Sequence, residues 1–397
     1  MSDHQRVNRR AWPVDSIAAT LALPLRQYRE LRAAEAVVYE SRFNSWNVHR
    51  YADAVRIFNE PALFSSEMRG QGGMALPSIV GMDGARHRKL RGLVTQAFTP
   101  RMVSQLAGRI TEITAELLDA GIARGRFDAM QDFAYPLPIR IIADMLGIPV
   151  EDQSTFRRWS ETLIAGPRTD VLRGKSFAEE RAATLLEMND YMARQIEARR
   201  RSPQEDLITR LLAAEVDGER LTENELQEFC RLLLIAGYET TACLIGNGVL
   251  TLHELPGLAD ELRADPSLLA GATEEIIRCF PSVAGSVRVA LADVEVGGQK
   301  VDQGQTVIVW AGSTNYDETI FPDAEQFDSR RSPNRHLGFG LGPHFCLGAP
   351  LARLEVRTAL QLLLEKLPRL ERDPGTAVEP VDSPFLLGVK RFPLIVA

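Results

Sequence analysis

The stretch HLGFGLGPHFCLGAP, residues 336–350, sets a single cysteine among four glycines and two histidines. It leads directly into LARLEVRTALQLLLEKL, where apolar residues recur at helical spacing. Cys346 therefore falls beside a predicted helix N-terminus, where free N–H groups and the helix dipole stabilise a thiolate. Gly340, Gly342 and Gly348 permit positive φ and let another group approach the backbone with no side chain between. A flat, bulky ligand fits such a surface. The plain alternative is a buried, inert thiol in a turn. Zinc needs about three further ligands and only His344 is local, while a cysteine protease needs a partnered base. Axial ligation of haem iron is the use that needs only one cysteine.

Upstream, residues 311–343 are rich in turn formers and aromatics and form a predicted irregular stretch, of a length that in compact domains serves function. Before it, VRVALADVEVGGQKVDQGQTVIVW, residues 287–310, alternates apolar and polar residues around Gly297-Gly298, which predicts a hairpin. WNVHRYADAVRIFNEPALF, residues 46–64, predicts a short strand and then a helix, and helical spacing dominates from about Arg86 to Ala198. ARRRSPQEDL, residues 198–207, reads as an exposed connection between two helices. LLLIAGYETTACLIGNGVLTL, residues 232–252, has the length of a membrane span, but Glu239, Asn247 and three threonines interrupt it. It is expected to be a buried central helix. A carboxylate at its midpoint is costly unless paired or used.

The expected fold is mainly α with small β-sheets, the β-rich parts lying near residues 35–65 and 285–310 and residues 1–397 forming one domain. At 397 residues and 45% hydrophobic, the chain has enough apolar material for a large core. A net charge of -7 gives no general attraction to nucleic acid or to an anionic membrane. The start, MSDHQRVNRRAWPVD, carries charge where a signal peptide needs an apolar core, so no membrane anchor is expected there and the location expected is cytoplasmic. Cys230, Cys243, Cys279 and Cys346 are too few for a disulfide scaffold and show no CxxC spacing, so most of them should be reduced and structural.

Phe339-Gly340-x-Gly342-x-His344-x-Cys346-x-Gly348 resembles the haem-binding signature of the cytochrome P450 monooxygenases, and a resemblance to the soluble bacterial members extends over nearly the whole chain. It implies the P450 fold, haem b as cofactor without flavin or nicotinamide, the long central helix over the distal haem face, and the Cys346 loop on the proximal face. Glu275 and Arg278, in ATEEIIRCF, share a helix face and form a charge-assisted pair. They resemble the family's ExxR motif, which implies a third partner, Arg331, and a structural role locking the cysteine loop. AGYETT matches the oxygen-activation segment, with Ala236 and Gly237 at the small-residue positions, Glu239 as the proton-relaying acid and Thr240 as the alcohol. A threonine hydroxyl bonded back to the Ala236 carbonyl by itself merely bends the helix; that the bend beside Gly237 opens a groove for dioxygen and water is what the resemblance implies. His87 and Arg91, at i and i+4 in ARHRKLR, together with Arg288 and His344, match propionate-binding positions. Two departures stand out. Gly84, Ala85 and Arg86 replace the usual prolines and glutamate at the start of the His87 helix, and Tyr238 stands where relatives often have histidine.

The resemblance also implies partners: dioxygen, a hydrophobic small-molecule substrate, and a ferredoxin or flavodoxin with its reductase, acting on a monomer. There is no GxGxxG context or fused flavin segment. Arg86, Arg88, Lys89, Arg330, Arg331 and Arg335 supply local positive charge for an acidic partner, the alternative for each being ordinary solvated charge. The substrate pocket is expected from Met74, Leu76, Ile79 and Val80, from Leu233, and from Val283, Ala284 and Val287, a set that core packing would also produce. A peroxide-driven peroxygenase is the near alternative and a haem-binding sensor the distant one. Retention of Glu239 and Thr240 favours the monooxygenase.

Overall fold

The strand-period segments near Trp46 and at 285–310 meet in one five-stranded sheet. In the computed structural model, which describes residues 10–11, 17–21, 23–41, 44–67, 79–164 and 167–395, its strands are β1 (Val37–Glu40), β2 (Ser45–Val48), β3 (Phe64–Ser65), β4 (Gly285–Ala290) and β5 (Thr306–Trp310). Their order is β1-β2-β5-β4-β3, with β2 parallel to β5 and Trp46 opposite Val307. The other neighbours are antiparallel. Val37, Val48, Val307 and Val309 bury one apolar cluster with Ile57 and Phe58 of the helix Tyr51–Asn59. Residues 287–310 are thus not a single hairpin. β4 pairs directly with β5, while Gly297-Gly298 closes a separate ribbon of Val294–Val296 with Gln299–Val301. The physical cause is local: Asp293 accepts the Gln303 N–H at 3.0 Å and Gln303 Nε2 donates to the Leu291 carbonyl at 2.9 Å, which ends the ladder.

The helices that position the site are α1 (Gly84–Ala97), α2 (Ala107–Ala123), α3 (Pro136–Met145), α4 (Pro167–Arg201), α5 (Glu223–Glu254), α6 (Leu269–Cys279) and α7 (Ala349–Lys366). α5 starts at a capping box: the Thr222 hydroxyl accepts the Glu225 N–H, and the Glu225 carboxylate accepts the Thr222 N–H at 2.9 Å. By length and composition α5 alone among the described helices could cross a membrane. Here it runs between α3, α6 and α7, and residues 241–252 are buried on every side, which accounts for an apolar character all round. Its polar interruption is satisfied in part: Asn247 Nδ2 donates to the carbonyls of Phe280 (3.2 Å) and Leu387 (3.1 Å), while Asn247 Oδ1 is buried with no hydrogen-bond partner among the described residues.

The connection after α4 is exposed at residues 202–205 as its composition suggests, but two of its charges are not. Arg199 and Asp206 are buried and paired at 2.7 Å, clamping α4 to the next helix, Leu207–Ala213. A second buried charge lies on α7. Glu355 is 1% exposed, its Oε2 has no hydrogen-bond partner among the described residues, and burial pushes its carboxyl up to about 8. Folding therefore retains a proton that the unfolded chain releases near pH 4.5. The corresponding stability is full below that pH and is lost as pH rises through about 8. Glu355→Gln is expected to flatten the fall between these pH values and to gain about 2–4 kcal/mol at the upper end, as read by urea unfolding at several pH values.

Candidate active site

The cysteine loop is built on backbone geometry. Gly340 and Gly342 have φ of 70° and 72°, and a Cβ at Gly342 would overlap the Phe58 carbonyl. Gly348 does not share this conformation: it is right-handed, with φ of -80°, and its use is proximity, a Cβ there lying 4.0 Å from Cys346 Sγ. The Cys346 N–H donates to the Phe339 carbonyl at 3.0 Å, closing the loop. Burial pushes the Cys346 thiol up, while N–H groups of Gly348 and Ala349 at the start of α7 donate to the sulfur and Arg91 and Arg353 add opposing positive charge. Of these effects burial is the largest. The other three cysteines are free and fully buried.

The loop is fixed from below by α6. Glu275 and Arg278, both 0% exposed, make two 2.8 Å hydrogen bonds. Arg331 Nε reaches both Glu275 oxygens at 3.0 and 3.1 Å, and Asn334 Nδ2 and the Asp328 N–H donate to the same carboxylate. Arg278 also donates to the Asn315 carbonyl at 2.9 Å, and Asn315 Oδ1 accepts the Leu337 N–H at 2.7 Å. The irregular residues 311–343 are thus tied by buried polar bonds, which supply the order that regular ladders would give elsewhere.

On the other side of the loop, His87 and His344 stack with ring centroids 4.1 Å apart. Asp83, which the sequence reading passed over, organises them. His344 Nε2 lies 3.0 Å from Asp83 Oδ1, while Asp83 Oδ2 accepts from the Ser65 hydroxyl (2.7 Å) and the Ser66 N–H (2.8 Å). Burial alone would raise Asp83, but these bonds hold it below the usual carboxylate range. Asp83 stands at the N-cap position of α1 yet caps nothing; a short acid before a helix reads as a cap, which hid this role. The helix begins at Gly84 itself, with φ of 70°. Burial, then the charges of His344 and Arg91, push His87 down to about 4, so it is neutral, and its Nε2 is buried with no partner among the described residues. Arg91 donates to the Phe345 carbonyl at 2.5 Å and Arg288 to the Val287 carbonyl at 2.7 Å. Neither has an ion-pair carboxylate among the described residues, and burial pulls both below the usual guanidinium value.

On α5, the Thr240 hydroxyl donates to the Ala236 carbonyl at 2.6 Å. Ala236 is exposed and Thr240 half-exposed, although the next two turns of the helix are wholly buried. α5 meets α7 at Gly248 and Leu360, eight residues or about 12 Å beyond Thr240. Gly237 points elsewhere, since a Cβ there would stand 2.8 Å from Ile142 Cδ1 of α3, so its small size serves helix packing. Tyr238 is 2% exposed and packs at 5.7 Å against the Tyr135 ring, on the α3 side. Glu239 is half-buried, and its charge adds to the burial that raises the Cys243 thiol.

Ile79 packs with Leu90, Leu93 and Ala214, its short helical turn lying against α1, and with Met82, Leu90 and Phe229 it lines a small cavity. Val80 is exposed, Leu233, Val283 and Val287 are half-buried, and Ala284 is buried with its N–H donating to the Phe385 carbonyl. Met74 and Leu76 lie outside the described residues. The basic patch is mostly neutralised: Arg86 and Lys89 pair with Glu219, Arg86 also with Glu225, Arg330 with Glu261, and Arg331 is spent on Glu275. Arg88 and Arg335 remain exposed.

Haem fits this donor set. Two half-buried arginines without a carboxylate, an orphaned His87 Nε2 and a sulfur bracketed by amide N–H groups are what two propionates and one iron would satisfy. No group of three or more His, Cys, Asp or Glu among the described residues offers another metal site.

The sequence model of the cytochrome P450 family matches residues 58–396. The cyclomarin C epoxidase CymV of Salinispora arenicola is 40% identical over 373 residues, covering 91% of this chain and 93% of that protein. The putative cytochrome P450 YjiB of Bacillus subtilis is 39% identical over 370 residues, covering 93% of each. The crystal structure of substrate-free CYP109E1 from Bacillus megaterium matches with a TM-score of 0.90 at 35% identity, covering 94% of this chain and 98% of that one. CYP109E1 has also been solved with corticosterone and with testosterone. The chain belongs to the cytochrome P450 family. It is a haem b monooxygenase, an oxidoreductase that incorporates oxygen from O2 into small hydrophobic substrates.

Proposed function

We propose that Cys346 is the axial thiolate of this monooxygenase, that Thr240 and Glu239 handle protons on the opposite face, and that the substrate is a bulky apolar molecule. The carrying observation is the sulfur's position at the start of α7, facing the Gly348 and Ala349 amides in a loop locked by Glu275. When bound, haem supplies the one-electron and dioxygen chemistry. Arg91, Arg288, His87 and His344 hold its carboxylates, and Asp83 fixes the His344 ring. The Thr240 hydroxyl spends its proton on Ala236, so its lone pairs accept a bond from a water on the exposed side of α5. Glu239, one residue earlier and half-buried, passes protons toward that water. The apolar, half-buried Leu233 and Val287 exclude water from the substrate.

Electrons come from a separate ferredoxin or flavodoxin with its reductase, meeting the surface where Phe345, Arg88 and Arg335 stay exposed, and the enzyme works in the cytoplasm. The corticosterone and testosterone complexes of CYP109E1 support a steroid-like polycyclic substrate, and a low-spin to high-spin shift on titration tests it. Thr240→Ala is expected to retain haem while product formed per electron falls several-fold. Unchanged coupling, with reductase supplied, would point to the peroxide-driven route or to a sensor.

A further inference from the structure

α6 presents two adjacent carboxylates with different destinations. Glu275 turns to the irregular stretch, whereas Glu274 turns to the cysteine loop and α7. Arg353, seven residues beyond Cys346, meets Glu274 with a two-pronged contact, Nε to Oε1 at 2.7 Å and Nη2 to Oε2 at 2.9 Å. His336 Nε2 lies 3.1 Å from Glu274 Oε2, and its Nδ1 accepts the Gly338 N–H at 3.3 Å, so Glu274 is shared between the loop and the helix. Burial alone would raise Glu274, but the His336 and Arg353 bonds hold it down to about 2, and it is ionised at any working pH. The Arg353 guanidinium carbon lies 4.6 Å from the Phe339 ring centroid, within cation–π range. Phe339 is also the residue whose carbonyl accepts the Cys346 N–H.

We propose that Arg353 and Glu274 are a positioning pair for the axial sulfur: the guanidinium, held by Glu274, pins Phe339 and sets the reduction potential of the iron through its partly compensated charge. The proposal rests on the reading of Cys346 as the ligand. Reduction takes one electron from an external donor and leaves the ferric centre ferrous, adding one negative charge near Cys346. A nearby cation favours the reduced form and a nearby anion opposes it. Losing Arg353 should then lower the potential, and neutralising Glu274 while Arg353 stays should raise it. A purely structural pair would behave otherwise, because either change breaks the same contact and both would disturb the centre in one direction.

The test is a spectroelectrochemical titration of the purified holoproteins. At the wild-type midpoint, Arg353→Met should reduce the ferrous-to-ferric ratio about threefold, Glu274→Gln should raise it by a similar factor, and Arg353→Lys should stay nearest to wild type. If Arg353→Met fails to take up haem, the opposite-signed comparison is made between Glu274→Gln and Arg353→Lys, with Glu274→Gln again the higher. Ratios that move together, or not at all, in proteins with a thiolate-type carbon monoxide spectrum would overturn the pair and leave the ligand assignment intact. A wild-type protein without that spectrum would overturn both.

Discussion

Glu275→Ala is expected to destabilise the protein by about 3–5 kcal/mol and to leave little holoprotein. The carboxylate is fully buried and accepts from Arg278, Arg331, Asn334 and the Asp328 N–H at once. Removing it strands Arg278, which is 0% exposed, as a buried cation whose remaining partners are carbonyls, the Cys279 sulfur and the Tyr316 and Phe321 rings. Desolvation of an unpaired ion exceeds the worth of the pair itself, and a loss of this size is a large share of the roughly 5–15 kcal/mol that holds a domain folded. The same change frees the stretch that carries Leu337 and then Cys346. Chemical unfolding of the haem-free chain, together with haem content after purification, reads both effects. A variant with wild-type midpoint and full haem content would show that the network is dispensable.

Cys346→Ala is expected to do the converse, abolishing turnover while the fold survives. The loop is closed by backbone, from the Cys346 N–H to the Phe339 carbonyl, and an alanine keeps that bond. α7 is anchored farther along by Leu351, Val356, Leu360 and Leu363, none of which depends on the sulfur. A stability change within about 1–2 kcal/mol is therefore expected, against complete loss of oxygenation with native electron donors. Thermal unfolding and product assay on the same preparation separate the two. Collapse of the fold would mean that the thiol is structural.

The two variants divide what could be read in advance from what could not. Cys346, Glu275 with Arg278, and Thr240 announce themselves because each sits at a spacing dictated by one helix or one loop, and local spacing is visible in a sequence. The central helix was equally plain, its polar residues marking it as a buried core element. Asp83 was invisible because its partners, Ser65, Ser66 and His344, come from distant segments. Gly237 shows a related limit: small size signals a close approach but not which neighbour approaches, and Ile142 of α3 is the neighbour its missing Cβ would meet. The partial neutralisation of the positive patch is not legible in the sequence, since the acids that pair with it, Glu219, Glu225 and Glu261, are supplied by other elements. Strand pairing shows the same limit. The Gly297-Gly298 turn was readable, but which strand ends the ladder was decided by the Asp293 side chain.

The central claim is that Cys346 is the proximal ligand of a haem held between α5 and the start of α7. The most direct measurement is the absorption spectrum of the dithionite-reduced holoprotein under carbon monoxide, recorded for wild type and for Cys346→His. A strongly red-shifted Soret band in wild type, replaced in Cys346→His by the unshifted band of nitrogen ligation, is the predicted result. A wild-type spectrum already of the histidine kind would contradict the account.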